Sequence, residues 1–432
     1  MALITIVLLA LALALSLVGC TTDDTLTGPT EEPAQAIAFG AYLNRSTTRA
    51  GVNEVSPATL PYQGFGVFAY YTDDSQFEAN GYAQPNFMYN QKVTSTDGGS
   101  TWDYSPVKYW PNETGASATS AGTDRLSFFA YAPYVSVTPS TGKVTDDDSY
   151  GITRLTPSSA TGDPRVRYYV SFDPAQTVDL CRATPVENLT KQAISEKVSF
   201  NFSHALAALN VQVDALVDAT SASAAPDQYT RIWVRSVTFE GFTTRGELNL
   251  VDGKWYDLDG CACESNISSV TVNDGRRDGR EGMTTALNEQ NVGLNPAIVQ
   301  SAPYADPWNA VTYSTTPGVT NTPVNLFNSV TATKPIYVIP TGDAIRINIV
   351  YDVETYDPKL KSCLLADGRT CGSTVENNLF VNLSTTLAAG KSYTINLHLG
   401  MTSVKADVST VDSWPAVADA TASGELKINI ED

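Results

Sequence analysis

Few side chains in this 432-residue sequence could do chemistry: two histidines, His204 and His398, six cysteines, and scattered acids. Five of the cysteines, Cys181, Cys261, Cys263, Cys363 and Cys371, lie in the body of the chain. Cys363 and Cys371 flank the turn residues Asp367-Gly368-Arg369 and could staple a hairpin. In the chain-entropy model so short a loop is worth roughly 2–3 kcal/mol. Cys261-Ala262-Cys263 is too tight for an ordinary bridge between its two members; one of them could pair with Cys181, leaving an odd thiol. A zinc site needs more ligands at better spacing, so no metal and no cofactor is expected. A catalytic His204 needs a Cys or an acid at motif spacing. None stands there, and a hydrogen-bonded structural histidine is expected. Gly390-Lys391-Ser392 lacks the upstream glycine of a phosphate loop and precedes a strand pattern, not a helix. Asp146-Asp147-Asp148 is a solvated loop run rather than a pair of carboxylates in a cleft. No constellation points to an enzyme.

Two other positions are candidates for processing. The stretch Ile37 to Leu43 alternates, with Ile37, Phe39, Ala41 and Leu43 on one face of an extended chain, and reads as a half-buried strand. The polar residues after it have no periodicity and end in Arg49 before the small Ala50 and Gly51. Such a segment suits a trypsin-like protease, with Arg49 the favoured site and Arg45 the lesser one. The first strand could therefore be cut away from the body of the chain. At the start of the sequence, Met1 to Val18 is apolar and uncharged and ends in Leu17-Val18-Gly19-Cys20, which resembles a lipobox. The expectation is a lipoprotein signal peptide over 1–19 and lipid on Cys20, although no Lys or Arg precedes the apolar run. Residues 20–35 are polar, acidic and Pro-containing, a tether.

The elements that must position these residues are strands. Charged residues make up 17% and apolar ones 42%, so the chain can bury a core. The net charge of −19 argues against nucleic acid as a partner. Tyr outnumbers Phe, Thr and Ser abound, and Gly and Pro are frequent, as in β-rich exported proteins. Strand-like runs recur at Gly64–Tyr71, Gln91–Thr94, Trp102–Tyr104, Val107–Pro111, Leu126–Tyr134, Val198–Val213, Ile232–Phe239, Gly246–Leu250, Pro335–Pro340, Ile345–Val353, Phe380–Leu383 and Ala388–Gly400. Within Val198–Val213 the alternation breaks over Ser203–Ala208, which predicts a bend. Residues 264–323 are polar and poorly periodic, and read as a long insertion or loops. A last alternating run, Leu426, Ile428 and Ile430, stands at the end of the chain.

Several of these runs resemble the fimbrillin family, lipoprotein subunits of type V pili. The resemblance rests on Trp102-x-Tyr104, Pro106 to Pro111, the block Leu126 to Pro133, Phe202-Ser203-His204-Ala205-Leu206-Ala207, Gly390-Lys391-Ser392-Tyr393 and Trp414, in the family's order. The aromatics among them are expected in the core. The resemblance implies an all-β fold of two tandem transthyretin-like or Greek-key β-sandwich domains, over 36–195 and 196–414, with 415–432 as a C-terminal tail. It implies cleavage after Arg49, so that Ala50 becomes the first residue and the strand carrying Ile37, Phe39 and Leu43 is displaced. A donor strand from another subunit, with Leu426, Ile428 and Ile430 as its apolar residues, then fills the gap. The partners would be other pilus subunits, the outer membrane through the lipid anchor, and a host or bacterial surface ligand; the location would be the outer membrane, the cell surface and the fimbrium. The alternative is a surface lipoprotein that does not polymerise, an adhesin or tip subunit that keeps its first strand and binds a glycan or a host protein.

Overall fold

The apolar alternation of the sequence becomes strand after strand. The computed structural model describes residues 34–43, 54–80, 83–111, 123–144, 150–191, 196–215, 230–256, 258, 269–273, 289–291, 323–327, 335–340, 345–356, 372–400 and 403–411. In chain order the strands are β1 (Phe39–Leu43), β2 (Phe65–Tyr71), β3 (Met88–Val93), β4 (Leu126–Ala132), β5 (Gly151–Leu155), β6 (Arg165–Tyr169), β7 (Cys181–Ala183), β8 (Val186–Leu189), β9 (Val198–His204), β10 (Ala207–Ala215) and β11 (Thr230–Glu240). They continue with β12 (Arg245–Asn249), β13 (Trp255–Tyr256), β14 (Ser269–Asn273), β15 (Glu289–Asn291), β16 (Val324–Asn325), β17 (Ile336–Val338), β18 (Ile345–Tyr356), β19 (Gly372–Leu383), β20 (Ser392–Leu399) and β21 (Val404–Val411). One helical turn, α1 (Leu60–Gln63), precedes β2, with Pro61 near its start, where a missing N–H does no harm. The all-β class is as expected.

A seven-stranded sheet runs β1-β9-β7-β4-β2-β3, with β8 also on β4. Its central strands β2 and β4 are buried along nearly their whole length, Phe-Gly-Val-Phe-Ala-Tyr-Tyr and Leu-Ser-Phe-Phe-Ala-Tyr-Ala. The reason is that both faces of the sheet are covered. Phe65, Val67, Ala69, Leu126, Phe128 and Ala130 pack into one core with Ile37 and Phe39. Phe68, Tyr70, Phe129 and Tyr131 point the other way into a second core shared with β6, β10, β18 and β20. Antiparallel sheets often leave one face wet; here neither alternating set can be polar.

Three further sheets follow: β16-β10-β20-β21 with β17 on β10, β15-β14-β11-β18-β19, and β13-β12-β6-β5. These pairings cross residues 195 and 196, where a boundary between two domains is expected. β9 completes the sheet of β2 and β4, and β12 pairs with β6 from Arg245↔Tyr169 to Asn249↔Arg165. From Ala36 onward the described residues form one compact unit.

Three local expectations need correction. Trp102–Tyr104 and Val107–Pro111 are not strands; they make isolated bridges, Thr94↔Asp103 and Ala36↔Tyr109. Pro106 and Pro111 cannot donate to a ladder, which keeps this segment irregular. In the polar stretch 264–323 two short strands form, β14 on β11 and β15 on β14. Strands also form where none is expected, at β5, β6, β7 and β8. The bend predicted in Val198–Val213 is there, at Ala205 and Leu206 between β9 and β10. Cys20, Arg45, Arg49, Ala50, Cys261, Cys263, the Cys363–Cys371 staple, and the tail with Leu426, Ile428 and Ile430 all lie outside the described residues.

Candidate functional site

The first strand sits in a groove made by residues from three distant parts of the chain. β1 pairs in parallel with β9, Phe39↔Val198 through Leu43↔Phe202, and is the terminal strand of its sheet. Alternation sets its faces. Ile37, Phe39 and Leu43 are 2%, 1% and 9% exposed, whereas Tyr42 is 66% exposed. Phe39 lies among four rings, with centroids at 5.1 Å (Tyr104), 5.7 Å (Phe200), 6.0 Å (Phe128) and 6.5 Å (Phe65). The Phe200 ring is stacked on it and Phe65 and Phe128 meet it edge-on, which suits the aromatic quadrupole.

The irregular segment after Trp102 closes the groove. The Tyr104 hydroxyl donates to the Ile37 carbonyl at 2.8 Å, and the Ile37 N–H donates to the Lys108 carbonyl at 2.9 Å. The Val198 N–H donates to the Ala38 carbonyl at 2.8 Å. The aromatic block is thus divided in its use. Tyr104, Lys108 and Tyr109 hold the approach to β1, and Phe65, Phe128 and Phe200 line its seat. Trp102 and Trp110 are buried as expected, but Val107 and Tyr109 are about half exposed and do not belong to the core.

A second grouping was not legible beforehand. β7 and β9 are antiparallel, with Cys181 opposite His204. His204 Nδ1 stands 2.8 Å from Asp179 Oδ2 and 3.4 Å from Cys181 Sγ. Asp179 also accepts the backbone N–H groups of Val55 at 3.0 Å and Leu180 at 2.7 Å, so this fully buried carboxylate is held in place. Cys181 is a buried free thiol, which removes its pairing with Cys261 or Cys263: its sulfur faces Asp179 and His204 inside the sheet. Burial, then the charges of Asp179 and Glu54, push the Cys181 thiol pKa well up. His204 does make hydrogen bonds, as expected. Its acid and its thiol are 25 and 23 residues away, brought to it by the register of two strands.

The other histidine, His398, joins three strands. Its Nδ1 is 2.6 Å from Asp214 Oδ1 on β10, and its Nε2 meets Asp407 Oδ1 on β21. With a carboxylate at each ring nitrogen the charged imidazolium satisfies both. Partial burial lowers the His398 pKa, but hydrogen bonds and charges from Asp407 and Asp214 outweigh it and the net shift is upward. Gly390-Lys391-Ser392 is the turn into β20, with the Gly390 N–H donating to the Leu206 carbonyl at 2.8 Å.

A family model and a solved fimbrial structure match this chain. The model of a family described as fimbrillin-like matches residues 48–414. A fimbrial protein from Bacteroides vulgatus ATCC 8482 superposes with a TM-score of 0.56 at 21% identity, covering 87% of this chain and 99% of its own. Candidate cell adhesion proteins from Bacteroides uniformis ATCC 8492 and Bacteroides ovatus ATCC 8483 align with TM-scores of 0.37 and 0.38, at 14% and 12% identity. These two alignments cover 89% and 90% of this chain, and 99% and 100% of theirs. No curated protein matches the chain. The family model begins after β1, covers β2 to β21 and most of the sequence, and the chain belongs to the fimbrillin-like family.

Proposed function

We propose that this protein is a structural subunit of a surface fimbria, exported as a lipoprotein on Cys20, cut after Arg49 and assembled by strand exchange. The observation that carries this reading is the seat of β1. Among the described residues it is an edge strand with a single ladder, to β9, so its departure leaves the other described ladders of the sheet intact. Yet its Ile37, Phe39 and Leu43 are buried in the aromatic core. Each such side chain contributes roughly 1.5–3 kcal/mol when buried, so an emptied groove costs about 5–8 kcal/mol. A folded domain is stable by only about 5–15 kcal/mol. The bared edge of β9 adds unpaired backbone groups. A subunit that loses β1 therefore needs another strand, and the alternating tail with Leu426, Ile428 and Ile430 has the period and residue sizes to supply it to a neighbour.

Arg49→Ala together with Arg45→Ala tests the cut. The double variant should accumulate as uncut precursor and form no fimbriae; normal fimbriae from it refute the mechanism. Deleting 424–432 should leave a folded, processed subunit that does not polymerise, and Ile428→Asp should do the same by forcing a charge into a neighbour's core. Polymer from the truncated chain would assign the donor strand elsewhere. Cys20→Ala should abolish lipid labelling of the precursor. The firm seat of β1 also suits the second reading, a surface lipoprotein that keeps this strand and binds a glycan or host protein as a monomer. Sequencing the mature N-terminus separates the two: Ala50 for the pilin, lipidated Cys20 for the monomer.

A further inference from the structure

Around His204 three ligand-type atoms converge on a point with nothing in the fimbrial reading to use them. Nδ1 of His204, Oδ2 of Asp179 and Sγ of Cys181 are separated by 2.8, 3.4 and 4.0 Å. A triangle with those sides has a circumscribed circle of radius about 2.0 Å, so one point lies that far from all three atoms. That is the bond length of zinc to imidazole nitrogen and carboxylate oxygen; a point about 0.8 Å out of the plane of the three atoms lies about 2.1 Å from nitrogen and oxygen and about 2.3 Å from sulfur, the longer thiolate bond. Among the described residues this is the one trio of His, Cys and carboxylate side chains so close together.

Hydrogen bonds satisfy the trio only by crowding both protons on one oxygen, Asp179 Oδ2, with the Cys181 thiol 4.0 Å and His204 Nδ1 2.8 Å from it. Asp179 and Cys181 both approach the same ring nitrogen, Nδ1. That nitrogen can donate its proton to the carboxylate or accept one from the thiol, but not both. The arrangement is also wrong for a Cys-His-Asp nucleophile, in which thiol and carboxylate use opposite ring nitrogens.

We propose that Asp179, Cys181 and His204 bind a zinc-class divalent cation, which clamps β7 to β9 beneath the groove of β1. Thiolate and imidazole ligands select zinc, cadmium or cobalt(II) over magnesium and calcium. On binding, the Cys181 S–H proton leaves to solvent and the sulfur lone pair goes to the metal. His204 coordinates through Nδ1 as the neutral ring, its remaining proton on Nε2. Affinity rises about tenfold per pH unit for each proton displaced. Metal binding at this trio is independent of polymerisation.

The test uses the full chain, extracted in detergent, stripped with a chelator and dialysed. Zinc is titrated calorimetrically, and cobalt(II) is followed by its thiolate charge-transfer absorption. The expected result is one equivalent bound with that absorption, and none with magnesium or calcium. Loss of an outer-shell partner already weakens metal sites 10–100-fold, so Cys181→Ser should weaken zinc by at least about 100-fold and remove the cobalt band. Should Cys181→Ser fail to fold, the complementary chain decides: with Cys261, Cys263, Cys363 and Cys371 all changed to Ser, the band must remain. No stoichiometric zinc on the wild-type chain, a band that survives Cys181→Ser, or a band lost in the complementary chain overturns the proposal.

Discussion

Phe39→Ala is the sharpest single test of how β1 is held. The side chain is 1% exposed and meets four aromatic rings, Phe65, Tyr104, Phe128 and Phe200. Truncation removes the transfer energy of the ring and leaves a cavity that β4 and β9, each held in its own ladder with β7, cannot close by moving together; such changes cost about 3–5 kcal/mol. Tyr42→Ala, on the opposite face of the same strand and 66% exposed, should fall within about 0.5 kcal/mol of wild type. Urea unfolding of the uncut chain measures both, with the midpoint moving and the slope unchanged. A second assay follows release directly. In a chain cut after Arg49, the freed segment holding β1 should dissociate about 10²–10³ times more readily with Phe39→Ala, because each 1.4 kcal/mol is a factor of ten. If Phe39→Ala costs less than about 1 kcal/mol, or no more than Tyr42→Ala, β1 is not seated as described and the case for a groove that demands refilling fails.

Tyr104→Phe removes the hydroxyl that donates to the Ile37 carbonyl at 2.8 Å, and should cost about 1–2 kcal/mol in the uncut chain and less once β1 has left, when only its contacts with the Lys108 backbone remain. Gly142 has φ +70, and a Cβ there would lie 1.8 Å from the Leu155 carbonyl oxygen; Gly142→Ala should destabilise by at least about 2 kcal/mol in the same urea assay. His398 has a raised pKa, so the stability it adds is full below its unfolded value near 6.5 and fades as pH climbs through the raised folded value. Asp214 is raised too, chiefly by burial, which also favours the acid side. The melting-temperature gap between wild type and His398→Gln should therefore narrow with rising pH; a gap that widens above neutrality contradicts the charged link of His398 to Asp214 and Asp407.

Some of this protein can be read without its fold. Period-two alternation is a property of a single strand, so the buried set Ile37, Phe39 and Leu43 was legible from local spacing, as were the unbroken apolar runs that became β2 and β4. The bend between β9 and β10 was legible for the same reason, since alternation stops and restarts there. Which strand pairs with which is a different matter. β1 lies beside β9 across more than 150 residues of chain, and no local pattern names that partner. Trp102 to Tyr109 carries the residue types of a strand but has no ladder to join, so it serves as an irregular wall. Asp179, Cys181 and His204 carry no motif spacing, because only the antiparallel register of β7 on β9 sets a thiol opposite an imidazole and a carboxylate against the same nitrogen. Spacing along the chain decides which face a side chain takes; register between distant strands decides what it meets there.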